Sequence, residues 1–88
     1  MNQNCPNPFN AGTRIEFSLP RSVHVKIDIF DISGRCLITL TDSRMNAGDH
    51  SVEWDGTDTD GNPAASGIYF YQLIAEDFHD ARKMILLK

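Results

Sequence analysis

The amino-acid sequence predicts an all-β domain in which two antiparallel sheets pack face to face. Apolar and polar residues alternate with period two in several segments, which is typical of strands with one buried face. No window of about a dozen residues has the i, i+3, i+4, i+7 apolar spacing of an amphipathic helix. Six short apolar segments are separated by stretches rich in Gly, Pro, Asn and Asp. This arrangement favours an antiparallel sandwich over a parallel sheet, which needs crossover helices.

The first three predicted strands are separated by one proline and one tight turn. Residues 13–19 form the first strand, and Pro20 ends it because proline cannot donate to a ladder. Residues 23–30 form the second and most regular strand, and 35–41 form the third. The intervening turn DISGR places Gly34 where a positive φ is expected, so these two strands form a hairpin. The residues of the first two strands expected to face the core are Ile15, Phe17, Leu19, Val23, Val25, Ile27 and Ile29.

The second half of the chain contains three further predicted strands. Residues 49–55 form one, and Trp54 is its largest core candidate. Residues 68–75 are apolar on both faces, which indicates a central strand. Residues 76–80 are predicted to reverse the chain, and 81–88 to form the last strand. Six strands with this spacing predict an immunoglobulin-like sandwich of six to seven strands.

Size and composition fit one packed domain that covers residues 1–88. A chain of 88 residues with 41% hydrophobic and 23% charged residues supports one modest core. The net charge is −4, and the basic residues are scattered, so we expect no nucleic-acid binding. No apolar run approaches the roughly 18 residues that a membrane-spanning helix needs. The polar start MNQNCPNPFN also lacks the features of a signal peptide, which predicts a cytosolic protein or a piece of a longer one.

Catalytic and cofactor motifs are absent from the sequence. The three histidines, His24, His50 and His79, are far apart and match no metal or protease motif. We expect His24 and His79 to face solvent and His50 to lie at the edge of the core. Ser66 is not part of a GxSxG nucleophile turn. The sequence therefore predicts a domain that is not an enzyme and has no catalytic, cofactor-binding or metal-binding residues.

The acidic loop at residues 55–67 has two interpretations. Asp55, Asp58 and Asp60 supply oxygen ligands of the kind that calcium prefers. An EF-hand alignment fails, because Gly56 would occupy its first ligand position. The favoured interpretation is that Asp and Gly form side-chain-to-backbone turns, although a calcium loop of another type remains open.

The two cysteines also leave alternatives open. Cys5 and Cys36 lie 31 positions apart, without the CxxC spacing of a zinc or redox site. They could form one disulfide or stay as two free, partly buried thiols.

The Pro-rich start, residues 1–12, predicts a stiff lead-in to a sandwich at 13–88. Pro6 and Pro8 fix φ and push the residues before them towards extended conformations. Phe9 supplies an apolar anchor, so we expect the lead-in to attach to the sandwich. Such a segment suits a junction with an upstream domain.

Read from end to end, the motifs resemble a known family. The stretches are QNCPNPFNAGTRIEFSLP, VKIDIFDISGRCL, AGDHSVEWDGTDTDGNPAASGIYFYQL and ARKMILLK. Together they resemble the C-terminal sorting domain, type A, of proteins exported by the type IX secretion system. They also resemble the related immunoglobulin-like domain of the flagellar hook-assembly scaffold. The resemblance covers residues 3–88.

This resemblance implies a non-catalytic C-terminal domain that targets a covalently linked upstream cargo to the type IX system. The implied partners are the secretion translocon and a surface sorting peptidase, and the implied location is the cell surface or exterior after transit through the periplasm. The secretion machinery could recognise an edge strand by β-augmentation, in which a partner strand pairs with the edge of the sheet. The alternative is a structural interaction module, of the flagellar type or attached to an extracellular enzyme. The residues that match family motifs, and that the machinery would read, are Gly67, Tyr69, Lys83, Ile85, Leu87 and Lys88.

Overall fold

A computed structural model of the chain describes residues 1–76 and 78–88. These residues form six strands and contain no helix, which confirms the prediction of an all-β immunoglobulin-like sandwich. The strands are β1 (Thr13–Leu19), β2 (Val23–Asp31), β3 (Cys36–Met45), β4 (Gly48–Trp54), β5 (Gly67–Ala75) and β6 (Phe78–Leu86).

The strands form a small sheet and a larger one. The small sheet pairs β1 with β4, and the larger sheet has the order β3-β2-β5-β6. Each of the six strands pairs antiparallel with its neighbours. The β2–β3 hairpin is present as predicted, and Gly34 in its turn has a φ of 88°. β5 lies between β2 and β6, which confirms its prediction as a central strand.

The core lies between the two sheets and follows the predicted alternation. Every residue of the first two strands that was predicted to face the core is buried. Trp54 is 1% exposed and is among the largest fully buried side chains. The remaining buried hydrophobic residues are Phe9, Tyr69, Tyr71, Leu73, Ala75, Met84 and Leu86.

Two strands, β3 and β6, differ from the prediction by three or more residues at one end. β3 continues to Met45 instead of ending at residue 41, because pairing with β2 includes the polar stretch 42–44. Polar residues are tolerated there because β3 is an edge strand. β6 begins at Phe78 and ends at Leu86, whereas residues 81–88 were predicted.

The predicted reversal at residues 76–80 is shorter in the structure. It includes Asp77, which lies outside the described residues. Phe78, His79 and Asp80 already pair with the end of β5. Long-range pairing thus extends the last strand into a stretch whose local composition resembles a turn.

The lead-in pairs with both sheets. Cys5 and Arg14 exchange two backbone hydrogen bonds of 2.9 Å, which attaches the lead-in to the edge of β1. The Phe9 amide donates to the Ile85 carbonyl at 3.0 Å, and the Leu87 amide donates to the Phe9 carbonyl at 2.8 Å. The lead-in therefore connects β1 of the small sheet with β6 of the larger one.

A buried polar network anchors the lead-in. Asn4 is 3% exposed, and its amide N–H donates to the Tyr71 hydroxyl at 2.8 Å. That hydroxyl donates in turn to the Asn2 carbonyl at 3.0 Å. The Asn4 side-chain amide donates to Thr13 Oγ1 at 2.9 Å and to the Pro6 carbonyl at 3.0 Å. These partners offset the cost of burying polar groups beside the core.

Both cysteines are free and exposed. Cys5 lies on the lead-in segment that pairs with β1, and Cys36 is the first residue of β3. The expectation that free thiols would be partly buried is wrong, because both residues lie on outer edges of the fold.

Replacing Phe9 with alanine tests the anchoring role of the lead-in. Phe9 is 2% exposed, and its ring centroid lies 5.5 Å from that of Trp54. We expect Phe9→Ala to lower the free energy of unfolding by about 3–5 kcal/mol. Urea unfolding, monitored by the fluorescence of Trp54, measures this loss of stability. Ile32→Ala is the control, because Ile32 is 74% exposed and its loss should change stability by less than about 0.5 kcal/mol. Equal stabilities of the two variants would contradict the anchoring role.

Alkylation tests the state of the cysteines. Because Cys5 and Cys36 are exposed and unpaired, both should react with iodoacetamide in the native, reduced protein without denaturant. Intact mass spectrometry should find two adducts. A single adduct, or adducts that form only after unfolding, would contradict the exposure of both thiols.

Candidate functional site

The tail, residues 81–88, is held against the domain along its whole length. Residues 81–86 belong to β6, which pairs with β5. Beyond the strand, the Leu87 amide donates to the Phe9 carbonyl, and the Lys88 amide donates to Ser66 Oγ at 2.9 Å. The tail is therefore a fixed part of the surface.

Alternation along β6 divides the side chains of the tail into two groups. Met84 and Leu86 point into the core and are 0% and 1% exposed. Lys83 is exposed on the opposite side, and Ile85 is half-buried there. Leu87 and Lys88 follow the strand and are exposed. Of the six residues singled out in the sequence, these four have side chains on the accessible surface of the tail: Lys83, Ile85, Leu87 and Lys88.

The other two residues occupy structural positions. Tyr69 is 7% exposed, and its ring packs edge-on against Trp54 with the centroids 5.5 Å apart. Its hydroxyl donates to the Ala65 carbonyl at 2.6 Å. Gly67 begins β5 with a φ of 156°, which strains residues with a side chain. Both residues lie where the acidic loop meets the core, beside the tail. That a partner recognises them directly remains a prediction.

The lead-in covers the outer edge of β6 beside the tail. Gln3 Nε2 donates to the Lys83 carbonyl at 2.7 Å. The Ile85 amide donates to Asn7 Oδ1 at 3.0 Å, and its carbonyl accepts from Phe9. A partner that adds a strand to β6 at this level must therefore displace the lead-in. Sequence reasoning missed these contacts, because an amide-rich start does not indicate which strand it will meet.

An accessible apolar surface lies on the outer face of β5 and β6. Ile68 pairs with Ile85, and Phe70 pairs with Lys83. Ile68 is 37% exposed, and Phe70 is half-buried. We call Ile68, Phe70 and Ile85 the outer apolar patch. The apolar composition of both faces of β5 indicated its central position correctly, but only the inner face is fully covered.

The histidines lie where the sequence predicts. His24 and His79 are exposed, and His24 Nε2 contacts a carboxylate oxygen of Asp42. His50 is half-buried and stacks on Phe17 with ring centroids 5.6 Å apart. Among residues 1–76 and 78–88, no three His, Cys, Asp or Glu side chains form a group that could hold a metal ion.

The acidic loop uses its carboxylates for turns. Asp55 Oδ1 accepts from the Thr57 hydroxyl at 2.6 Å and from the Thr57 amide at 3.1 Å. The Thr57 hydroxyl is the main cause of a lowered pKa at Asp55. Asp58 Oδ1 accepts from the amides of Asp60 and Asn62 at 3.0 and 2.9 Å. These hydrogen bonds are those that the turn interpretation predicts.

Two antiparallel sheets with a buried Phe9, Trp54 and Tyr69 between them define an immunoglobulin-like β-sandwich module. No helix in the part of the chain that the structure describes is long and apolar enough to cross a membrane. The chain belongs to the FlgD Ig-like domain family, whose sequence model matches residues 3–77. A search of curated protein sequences finds no significant match.

Solved structures with the same fold include PorU, PorZ and FlgD. Dimeric latent PorU from Porphyromonas gingivalis is similar with a TM-score of 0.77 and 19% identity, over 97% of this chain and 9% of that one. PorZ of the same organism, a surface component of the type IX secretion system, has a TM-score of 0.70 and 22% identity, over 98% and 11%. FlgD from Xanthomonas campestris has a TM-score of 0.67 and 25% identity, over 90% and 58%. The chain thus spans about a tenth of PorU and PorZ.

Alkaline titration tests the burial of the two tyrosines. Burial raises the pKa of Tyr69, helped by the negative charge of Asp31, and burial also raises the pKa of Tyr71. A raised folded-state pKa stabilises the fold below the unfolded pKa of 10.0, and this contribution is lost as pH rises through the folded-state pKa.

Because the chain has two tyrosines, the absorbance of tyrosinate reports both. We expect its midpoint in the native protein to lie above that of the urea-unfolded protein, and tyrosinate to form together with alkaline unfolding. Coincident native and unfolded titrations would contradict the burial of both hydroxyls.

Proposed function

We propose that this domain is a non-catalytic sorting module that directs a covalently linked upstream cargo to the type IX secretion system. Three observations support the proposal: the motif resemblance over residues 3–88, the shared fold with PorZ, and the fixed geometry of the tail. The tail geometry is the central observation. Because the backbone amides of Leu87 and Lys88 are hydrogen-bonded to the domain, their side chains project from fixed backbone positions.

The recognised surface consists of side chains. The backbone edge of β6 from Lys83 to Leu87 already bonds to the lead-in. A translocon component can therefore contact Lys83 and the outer apolar patch, together with Leu87 and Lys88, without rearranging the fold. The apolar patch contributes buried area, and the two lysines contribute charged hydrogen bonds that fix orientation.

The partners in this proposal are the secretion translocon and a surface sorting peptidase. The cargo crosses the periplasm, leaves through the outer membrane and is attached to the surface or released. The domain itself contributes a rigid label and no catalytic group.

A structural module of the FlgD type is the second candidate. It is favoured by the family match over residues 3–77 and by the similarity to FlgD from X. campestris, whose structure is described in terms of hook capping in flagellar assembly. In this case the outer apolar patch would contact neighbouring subunits of an assembly. Export of a fused cargo distinguishes the two candidates.

A reporter fusion tests the sorting role. Residues 3–88 are fused to the C-terminus of a periplasmic reporter in a host with a type IX system. We expect the reporter to lie at the cell surface, where protease added to intact cells can degrade it. If limited proteolysis shows that the domain is folded and the reporter still remains in the periplasm, sorting in that host is contradicted.

Lysine variants of the same fusion test the role of the tail. Lys83→Gln combined with Lys88→Gln should reduce surface export at least tenfold, because the loss of even one charged hydrogen bond of about 1.5 kcal/mol weakens binding about tenfold. Lys26→Gln is the matched control, because Lys26 lies on β2, away from the tail. The double variant should unfold at nearly the same temperature as the unchanged domain, whereas Lys26→Gln also loses an ion pair of 3.6 Å with the buried Asp28. Undiminished export by the folded double variant would show that the secretion machinery does not recognise the charges of the tail.

A further inference from the structure

The side of the sandwich opposite the lead-in is open between β4 of the small sheet and β3 of the larger one. On the lead-in side, Phe9 closes the gap between the sheets and is 2% exposed. Between β4 and β3, no strand formed by residues 1–76 or 78–88 covers the gap. Apolar side chains that pack against the core on these two strands stay half-buried. They include Ile38, Leu40, Met45 and Val52.

An open cavity of about 810 Å³ runs from this gap across the end of the small sheet. Ile38 and Leu40 line it from β3, and Glu53 and Trp54 line it from β4. It continues past β1 to Cys5 on the lead-in. Because Trp54 is 1% exposed, the cavity reaches down to the core. The gap therefore has room for the side chains of a further strand.

The far edge of β4 presents backbone groups that no described residue uses. Arg14 of β1 exchanges backbone hydrogen bonds with Cys5, so its backbone groups point away from β4. In an antiparallel pair the residue directly opposite points away as well, and Glu53 lies opposite Arg14. Alternation directs the backbone groups of Ser51 and Asp49 outward in the same way. Within residues 1–76 and 78–88, no backbone hydrogen bond reaches these three residues from that side.

The edge of β3 across the gap is less suited to pairing. Two register shifts interrupt its ladder with β2, and such irregularities turn an edge strand away from regular pairing. Part of this edge is also occupied. The Leu37 carbonyl accepts from the Thr59 amide at 3.1 Å and from the Thr59 hydroxyl at 2.9 Å. A further strand would therefore pair with β4.

The side chains beside the far edge of β4 select the charge of its partner. Asp49, Ser51 and Glu53 are exposed on the outer face of the small sheet. If two copies paired antiparallel through this edge about Ser51, Asp49 of each copy would lie opposite Glu53 of the other. Like charges directly opposite each other are destabilising, so the edge disfavours a second copy. Basic side chains at the same positions would be attracted.

We propose that the far edge of β4 is a docking site for an extended segment of a partner protein in which basic and apolar residues alternate. The basic side chains lie opposite Asp49 and Glu53, and the apolar side chains enter the gap beside Val52 and Leu40. Recognition by an added strand is the β-augmentation mode. The site lies across the small sheet from the lead-in and is separate from the tail, so its occupation does not depend on the proposed sorting role.

Titration of the ¹⁵N-labelled chain with the peptide acetyl-KIKVKT-amide tests the proposal by NMR. We expect saturable shifts of the amides of Asp49, Ser51 and Glu53. The same peptide N-methylated at its lysines should bind at least about tenfold more weakly, because the lysine amides are those that point at β4. The peptide N-methylated at its other residues is the matched control. Its affinity should change less than about threefold, because those amides point away from β4.

Charge variants separate this site from general attraction between an acidic protein and a basic peptide. Asp49→Asn combined with Glu53→Gln removes both carboxylates beside the edge and should lower the affinity roughly fivefold. The new amide at position 49 keeps an oxygen that can accept from Ser18 Oγ. Asp60→Asn combined with Glu76→Gln is the matched control, because it changes the net charge equally at exposed positions outside β4. It should change the affinity less than about twofold.

Four results would overturn the proposal. The first is the absence of saturable shifts up to the solubility limit of the peptide. The second is equal affinity of the two N-methylated peptides, which would exclude strand pairing in this orientation. The third is an equal loss of affinity in the two charge variants, which would indicate general attraction. The fourth is a shift of the Ser51 amide with protein concentration in the absence of peptide, which would indicate that a second copy occupies the edge.

Discussion

The fold depends on the pairing of the lead-in with both sheets while Phe9 is buried between them. Among residues 1–76 and 78–88, the small sheet has only two strands, β1 and β4, and a two-stranded sheet is marginally stable by itself. The lead-in adds backbone bonds to the edge of β1 and joins it to β6. Asn4 must enter the core with the segment, and the hydroxyls of Tyr71 and Thr13 satisfy its polar groups. Closure of the sandwich therefore combines apolar burial with a completed polar network.

Aromatic contacts extend this constraint from the lead-in to the acidic loop. Phe9 packs edge-on against Trp54, which packs edge-on against Tyr69. Trp54 Nε1 donates to the Thr57 carbonyl at 2.8 Å, near the start of the loop, and the Tyr69 hydroxyl bonds near its end. The loop is thus held at two points by rings that also fill the core. This explains how a stretch so rich in Asp and Gly adopts a defined path.

Sequence alone predicts the parts of this structure that depend on local alternation. The inward faces of β1 and β2 were predicted residue by residue, because apolar and polar residues alternate from Thr13 to Leu19 and from Val23 to Ile29. The lengths of β3 and β6 were not, because pairing with a neighbouring strand recruits polar residues such as Ser43. The contact of Gln3 with Lys83 spans 80 positions, and no local pattern specifies such a partner. The exposure of the tail side chains followed from alternation once β6 was placed at a sheet edge.

The alternation along β6 determines how its proposed role in recognition can be separated from its contribution to the core. Alternate residues of the strand serve different purposes: Met84 and Leu86 fill the core, whereas Lys83 and Ile85 face outward. Deleting the tail removes both sets together with the backbone partners of Phe9, so loss of function after deletion cannot distinguish recognition from unfolding. Substitution of the outward-facing side chains leaves the core and the lead-in contacts in place. The lead-in already bonds to the backbone edge of β6 from Lys83 to Leu87, so the proposed recognition of the tail in the intact fold depends on these side chains.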